Sequence, residues 1–256
     1  IYIQRGGRKV REMAYDYTSD NNKSDDLTVF AEHITKSGIT QIAYQRTPSS
    51  AVWCVRGDGQ LALLMRDKSQ DVFAWTRFIT ASIAGDSVIE SCCIVPTTGE
   101  EDEVWVSVKR ILNDSIVRTI EYFQPRNFTD YEDMHFVDCG MNYAFAGDAT
   151  MLEGETVQLI SAGNYLGEQT VSNGSIELPH GFPAVTLGLP ITSTVTPMPI
   201  DVNGLGVSAK SRVVDATLSF YNTVGGKYGI GTDLYEIPAR NTGDDLNESP
   251  PLFTGL

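Results

Sequence analysis

Histidine and cysteine are scarce in this sequence, long apolar runs are missing, and positive charge is in deficit. No stretch approaches the roughly 20 consecutive apolar residues that cross a bilayer. No charged, apolar and small-residue series of a signal peptide stands at its start. Lys and Arg number 19 against 33 Asp and Glu, which gives a formal charge of −14 and a pI near 4.5. Each neutralised phosphate needs a Lys or Arg, so this balance argues against a surface built to grip nucleic acid. It is compatible with a conduit for DNA, where repulsion keeps the polymer from sticking. Cys54, Cys92, Cys93 and Cys139 lack zinc-type spacing, and adjacent Cys92 and Cys93 bridge each other only with strain. They read as reduced, small core residues. His33, His135 and His180 are too few and too scattered for a metal triad.

What the sequence does have is repetition. "IYIQRGGRKVREMAYD" (Ile1 to Asp16) overlays "VWCVRGDGQLALLMRD" (Val52 to Asp67), matching Arg5 with Arg56, Gly6 with Gly57 and Asp16 with Asp67. Both read as strand, tight turn, strand. A third copy, "VWVSVKRILNDSIVRTIEYF" (Val104 to Phe123), puts Trp105 in the place of Trp53 and a longer turn at Asn113 and Asp114 in place of the glycines. A short apolar strand precedes the second copy ("QIAYQ") and the third ("ESCCIV"). The period is near fifty residues, which is the spacing of propeller blades of about four short strands. A lone sheet of this kind has two faces and cannot shield both, so neighbouring sheets must cover one another. The first copy lacks its leading strand, which reads as an excerpt from a longer chain.

"KSDDLTVFAEHI" interrupts the strands with Leu27, Phe30, Ala31 and Ile34 on one helical face and Ser24 or Asp25 placed as a cap; it predicts one short helix. The repeat fades through the polar, proline-containing "QPRNFTDYEDMHFVDCG". Beyond it, "ETVQLISAG", "EQTVSNGSIEL", "AVTLGLPI" and "SRVVDATLSFYNT" read as strands rich in β-branched residues, with Asn173-Gly174 as the strongest hairpin signal. The expected fold is therefore all-β: propeller-type repeats over 1–134, a smaller β-domain over 135–223 and an extended C-terminal segment over 224–256.

Each motif with a chemical reading also has a plainer one. Arg56-Gly57-Asp58 spells an adhesion tripeptide, but it falls where a hairpin reverses, and Asp58-Gly59 suits a type I′ turn. Gly225, Gly226, Gly229 and Gly231 surround Lys227 without the remaining residues of a phosphate-binding P-loop, so a β-turn region is expected. Glu100, Glu101, Asp102 and Glu103 suggest a metal site or catalytic carboxylates, yet four consecutive acids cannot point one way along a strand and read as a solvated loop. Asp130, Glu132 and Asp133 near His135 form the next ligand-like group, with a polar linker as the simpler account. The Asn127–Thr129 sequon carries meaning only in a secreted protein. No nucleophile elbow occurs. The residues thus nominate no catalytic, cofactor-binding or metal site.

Taken together and in order, "QRGGRKVREMAYDY", "DDLTVFAEHITKSGITQIAYQRTPSSAVWCVRGDGQL", "LEGETVQLISAG", "QTVSNGSIELP" and the terminal "LFTG" resemble the tail nozzle family of short-tailed bacteriophages, also called tail tubular protein B or stabilisation protein. The resemblance runs over essentially the whole chain. It implies a non-enzymatic virion protein, assembled in the bacterial cytoplasm, that forms a hexameric ring at the distal end of the tail. Its partners would be further copies of itself, the tail adaptor, and tail fibres or spikes; DNA would pass through the channel without specific binding. The family has no catalytic residues to transfer. Two other readings stay open: a carbohydrate-binding or carbohydrate-degrading β-propeller of a phage tail, which as an enzyme needs two facing carboxylates, and a cellular propeller scaffold.

Overall fold

A computed structural model describes residues 1–80, 87–99, 101–125, 136–144, 147–161, 164–196, 215–223, 225–238, 240–244, 251 and 253–255. Its regular elements are almost all strands, as the alternating and β-branched sequence predicts. The first sheet is β1 (Tyr2–Ile3), β2 (Val10–Asp16) and β3 (Asn21–Asp26), antiparallel in that order. The helix α1 (Glu32–Thr35) follows. The second sheet runs β4 (Ile39–Gln45), β5 (Ala51–Arg56), β6 (Leu61–Asp67), β7 (Val72–Phe78), and the third is β8 (Val88–Val95), β9 (Glu103–Leu112), β10 (Ser115–Tyr122).

The second and third sheets match over their first three strands, and among the described residues the third has no counterpart of β7. Trp53 lies between Ala43 and Leu63, and Trp105 lies between Cys93 and Tyr122. Each leading strand carries a one-residue bulge at the same place, at Thr40 before Gln41 and at Glu90 before Ser91. Bulges recur at fixed positions because they set local twist, so this shared irregularity marks a structural repeat.

Stacking gives every buried residue a side. Val52, Cys54, Ala62 and Leu64 face the first sheet and pack with Val10, Leu27, Ala31, Ile34 and Ile39. Their alternates Ala51, Trp53, Val55, Leu61 and Leu63 face the third sheet and pack with Ile89, Cys92, Val104, Val106 and Val108. Being covered on both faces, β5 is buried at every position, which is why its sequence is an unbroken apolar run instead of an alternation. On β9 the alternation is complete, with Val104, Val106, Val108, Arg110 and Leu112 buried and their neighbours half-exposed.

The turns differ from expectation in instructive ways. At Gly57-Asp58-Gly59 only Gly59 has positive φ (79°), and Arg56 N–H donates to the Gln60 carbonyl (2.9 Å). This is a three-residue hairpin loop closed by a left-handed glycine, not the type I′ turn expected. The type I′ turn occurs instead at Asn113 (φ 47°) and Asp114 (φ 57°), a two-residue loop shorter than predicted. Asn173 (φ 53°) and Gly174 (φ 68°) form the expected tight turn, bridged by Ser172 and Ser175.

The helix is shorter than predicted and starts later. Ser24 and Asp25 belong to β3, where backbone pairing with Met13 and Glu12 outcompetes a helical start. Asp26 then accepts from the N–H (2.9 Å) and Oγ1 (2.5 Å) of Thr28, a side-chain-made turn of the kind that competes with helix. Leu27, Ala31 and Ile34 are buried as expected, but Phe30 is 88% exposed.

A fourth sheet follows, ordered β11 (Val137–Ala144), β14 (Ala184–Pro190), β12 (Thr156–Ser161), β13 (Asn164–Thr170), with a 3-10 turn at Thr150–Leu152. Its core gathers Leu152, Val157, Leu159, Val171, Val185, Leu187 and Leu189, and includes Leu112 from the third sheet. The chain divides into two compact units, Ile1–Ser161 with Tyr165–Ile191, and Ala162–Asn164 with Thr192–Leu256. In the second unit β15 (Phe220–Thr223) pairs with β18 (Phe253–Gly255), and β16 (Gly226–Ile230) forms a hairpin with β17 (Asp233–Ile237). Of the strand expected over "SRVVDATLSFYNT", only Phe220–Thr223 is regular among the described residues.

Candidate functional site

The residues singled out by sequence do not converge on one place. In the adhesion-like tripeptide, Arg56 is buried and Asp58 folds back on it: Nη2 meets Asp58 Oδ2 at 2.6 Å, Nη1 donates to Gln60 Oε1 (2.7 Å) and Nε to Ser37 Oγ (3.1 Å). That arginine is a structural strut of the hairpin. Lys227 pairs across its hairpin with Glu236 (3.1 Å), and Gly231 sits in the two-residue turn with φ 62°. His33 and His180 are exposed on separate elements. Asp130, Glu132, Asp133, His135, Glu100 and the Asn127–Thr129 sequon lie outside the described residues. Among the described residues no group of three His, Cys, Asp or Glu is arranged to hold a metal ion.

The acidic run is less solvated than its sequence suggested. Asp102 is buried, and its Oδ2 accepts from the backbone N–H groups of Arg46 (3.1 Å) and Thr47 (3.2 Å). The backbone hydrogen bond from Thr47 leads the causes that hold the Asp102 carboxyl below the usual range, against the opposing effect of burial. Its carbonyl accepts from Gln45 Nε2 (2.9 Å), whose Oε1 in turn accepts from Trp53 Nε1 (3.0 Å). Glu103 accepts from Trp105 Nε1 (2.8 Å). The sequence signal missed here is the proximity of "QRT" after β4, whose free amides need an acceptor.

Beside Asp102 a cavity of about 90 Å³ is lined by Trp53, Phe78, Phe123 and Pro125 with Glu101 and Glu103 at its edge. The three rings pack on one another, with centroids 5.1 to 5.5 Å apart. Mutual contact at this distance leaves no gap for a ligand between the rings. A second cavity of about 320 Å³ lies between the first and second sheets, with Glu12, Tyr44, Arg66, Asp67 and Lys68 in its lining. Glu12 is committed to Arg66 (3.8 Å) and Lys68, and Asp67 accepts from Ser69 N–H (2.8 Å) and Oγ (2.7 Å).

The strongest buried electrostatics join the third sheet to the fourth. Arg110, fully buried on β9, donates through Nε and Nη2 to both oxygens of Glu121 (2.8 and 2.7 Å) and through Nη2 to Asp138 Oδ1 (2.8 Å). Burial alone would push the Glu121 carboxyl up; the Arg110 guanidinium outweighs it and holds the group low. Burial likewise favours the neutral form of Arg110, and the two carboxylates reverse that. Cys139, at φ 51° in the β11 bulge, is pushed up to about 12, chiefly by burial. Burial also pushes the Cys54 thiol to about 12 and the Cys92 thiol to about 11. These thiols stay protonated at neutral pH and are poor nucleophiles. The cysteines are free; Cys54, Cys92 and Cys139 are buried as expected, while Cys93 is exposed, because it falls on the side of β8 away from the second sheet.

No protein-family model matches the chain, and no curated protein matches it significantly. No helix is long and apolar enough to cross a membrane among the described residues.

Proposed function

We propose that this chain is a structural component of a bacteriophage virion: part of the distal tail nozzle of a short-tailed phage, contributing to a ring and to the wall of the DNA exit channel. It acts by building and has no catalytic role. Its partners are other copies of itself in a ring expected to be hexameric, the tail adaptor, and fibres or spikes. It is assembled in the host cytoplasm and carried in the virion.

The observation that carries the reading is the resemblance of ordered segments across the chain to that family. Two physical features support it. In stacked antiparallel sheets neighbours complete one another's cores, an arrangement suited to a repetitive building element. A charge of −14 suits a wall past which DNA slides, because like charge prevents adhesion. Negative-stain electron microscopy of the intact protein tests the proposal. A six-fold annulus is expected; isolated particles of irregular outline at every concentration would refute it.

A further inference from the structure

We propose that Asn173–Gly174 is a latent site of spontaneous deamidation and that the Glu153 carboxylate holds it unreactive. The pair forms the tight turn between β13 and β14, with Asn173 exposed in the left-handed conformation (φ 53°) and Gly174 half-buried beside it (φ 68°). Both of their backbone N–H groups meet one side chain: Asn173 N–H donates to Glu153 Oε1 (2.9 Å) and Gly174 N–H to Glu153 Oε2 (2.6 Å).

The chemistry turns on the Gly174 nitrogen. In an Asn-Gly pair that nitrogen gives its proton to solvent and attacks Cγ of the asparagine side chain. The side-chain nitrogen leaves as ammonia, taking a proton back from solvent, and a five-membered succinimide remains. Water then opens the ring to aspartate or isoaspartate, so the net exchange is one water in and one ammonia out. Glycine favours the attack because it has no Cβ to hinder the approach. Glu153 opposes it in two ways. Its hydrogen bond to Gly174 must break before the nitrogen loses its proton, and its negative charge disfavours the amide anion that attacks. The paired bonds also fix the peptide between the two residues, whereas ring closure needs rotation about the Asn173 Cα–C bond. The Asn173 side chain itself lies toward Ser172, with Nδ2 3.5 Å from Ser172 Oγ.

The clamp protects a contact on the same turn. The Gly174 carbonyl accepts from Ala149 N–H (2.9 Å), which ties the segment carrying the fully buried Ala149 and Leu152 to this hairpin. Isoaspartate would insert an extra carbon into the main chain at that point, and either product would set a second carboxylate beside Glu153. This chemistry is independent of what the chain assembles into.

Peptide mapping by mass spectrometry, with isoaspartate separated from aspartate, follows Asn173 apart from the chain's other Asn-Gly pair, Asn203–Gly204. In mildly alkaline buffer the native chain is expected to convert at Asn173 about tenfold or more slowly than the same chain in urea. Glu153→Ala is expected to restore most of the unfolded rate in the folded protein. Glu153→Gln is expected to fall between, because an amide oxygen accepts without the charge. Leu187→Ala, in the core of the same sheet, is expected to lower the melting temperature and leave the native Asn173 rate unchanged. A native rate equal to the unfolded one would overturn the proposal. So would a folded Glu153→Ala or Glu153→Gln chain that converts no faster than the unaltered one; should Glu153→Ala fail to fold, Glu153→Gln carries the comparison. A Leu187→Ala chain converting as fast as Glu153→Ala would overturn it too, because loosening of the sheet and not loss of the carboxylate would then set the rate.

Discussion

Gln41 reaches from the second sheet to the third and holds the backbone of Cys92 at both ends: its Nε2 donates to the Cys92 carbonyl (2.8 Å) and its Oε1 accepts from the Cys92 N–H (3.1 Å). Among the described residues β8 is an edge strand, so these backbone groups have no neighbouring strand there to pair with. One side-chain amide stands in for that strand and blunts the edge. Replacing it with Leu leaves a backbone donor and acceptor without partners at the sheet junction. Gln41→Leu is expected to lower stability by about 1–3 kcal/mol in urea unfolding, with Gln41→Glu losing stability too because the carboxylate cannot donate.

A second junction contact is purely backbone. The carbonyl of Gly59 accepts from Ile89 N–H (2.8 Å) at the start of β8, and the corresponding turn one repeat earlier does the same, Gly7 to Ile39 N–H (2.7 Å). A Cβ on Gly59 would stand 2.6 Å from Val88 Cγ1, and the residue has φ 79°. Gly59→Ala is expected to cost at least about 1 kcal/mol from the backbone conformation alone. Thermal unfolding checks this, and an unchanged melting temperature would contradict it.

Arg110 should behave as one member of a unit. Truncating it to Met leaves Glu121 and Asp138 facing a buried site without their cation, with an expected loss of about 3–5 kcal/mol. Neutralising both acids in the same chain, as Glu121→Gln and Asp138→Asn, is expected to restore most of that loss, and a triple variant no more stable than Arg110→Met would contradict the account.

Acid sensitivity follows from the same groups. The folded-state pKa of Glu121 lies below its ordinary value, and that of Asp26, opposed by burial but held by Lys9 (2.7 Å) and Thr28, falls to about 2. Their contribution is present above the unfolded carboxylate range near pH 4 and is lost as pH falls through the folded values. Stability measured between about pH 5 and pH 2 is expected to drop, and the drop is expected to shrink in Asp26→Asn.

How much of this was legible in the sequence depends on what each signal encoded. Trp53 and Trp105 announced the repeat because they take the same register position in matching sheets, between the leading strand and the strand after the turn. The continuous apolar run of β5 encoded two-sided burial. The helix was overread because Leu27, Ala31 and Ile34 satisfy a helical face and a compact turn equally well, and the sequence does not display the pairing partner that pulled Ser24 and Asp25 into β3. Asp102 hid within an acidic run whose other members look identical. Gln41 and Arg110 act on residues far along the chain, and no local pattern reports such distances. Cys93 differs from Cys92 only by the alternation of a strand, which the bulge at Glu90 sets.

That difference is measurable. In dilute native protein one thiol per chain, Cys93, is expected to react with a thiol reagent, and four are expected to react after denaturation. Fast labelling of Cys92 would mean that the second and third sheets do not cover each other, and fast labelling of Cys54 that the first sheet does not cover the second.

Native-state hydrogen exchange tests mutual covering most directly. The β5 amides, Ala51 to Arg56, should exchange only through global opening, and Gln41→Leu should reduce protection across the second and third sheets together. If β8–β10 lost protection alone while β4–β7 kept theirs, the sheets would be independent units and the stack would not be the source of their stability.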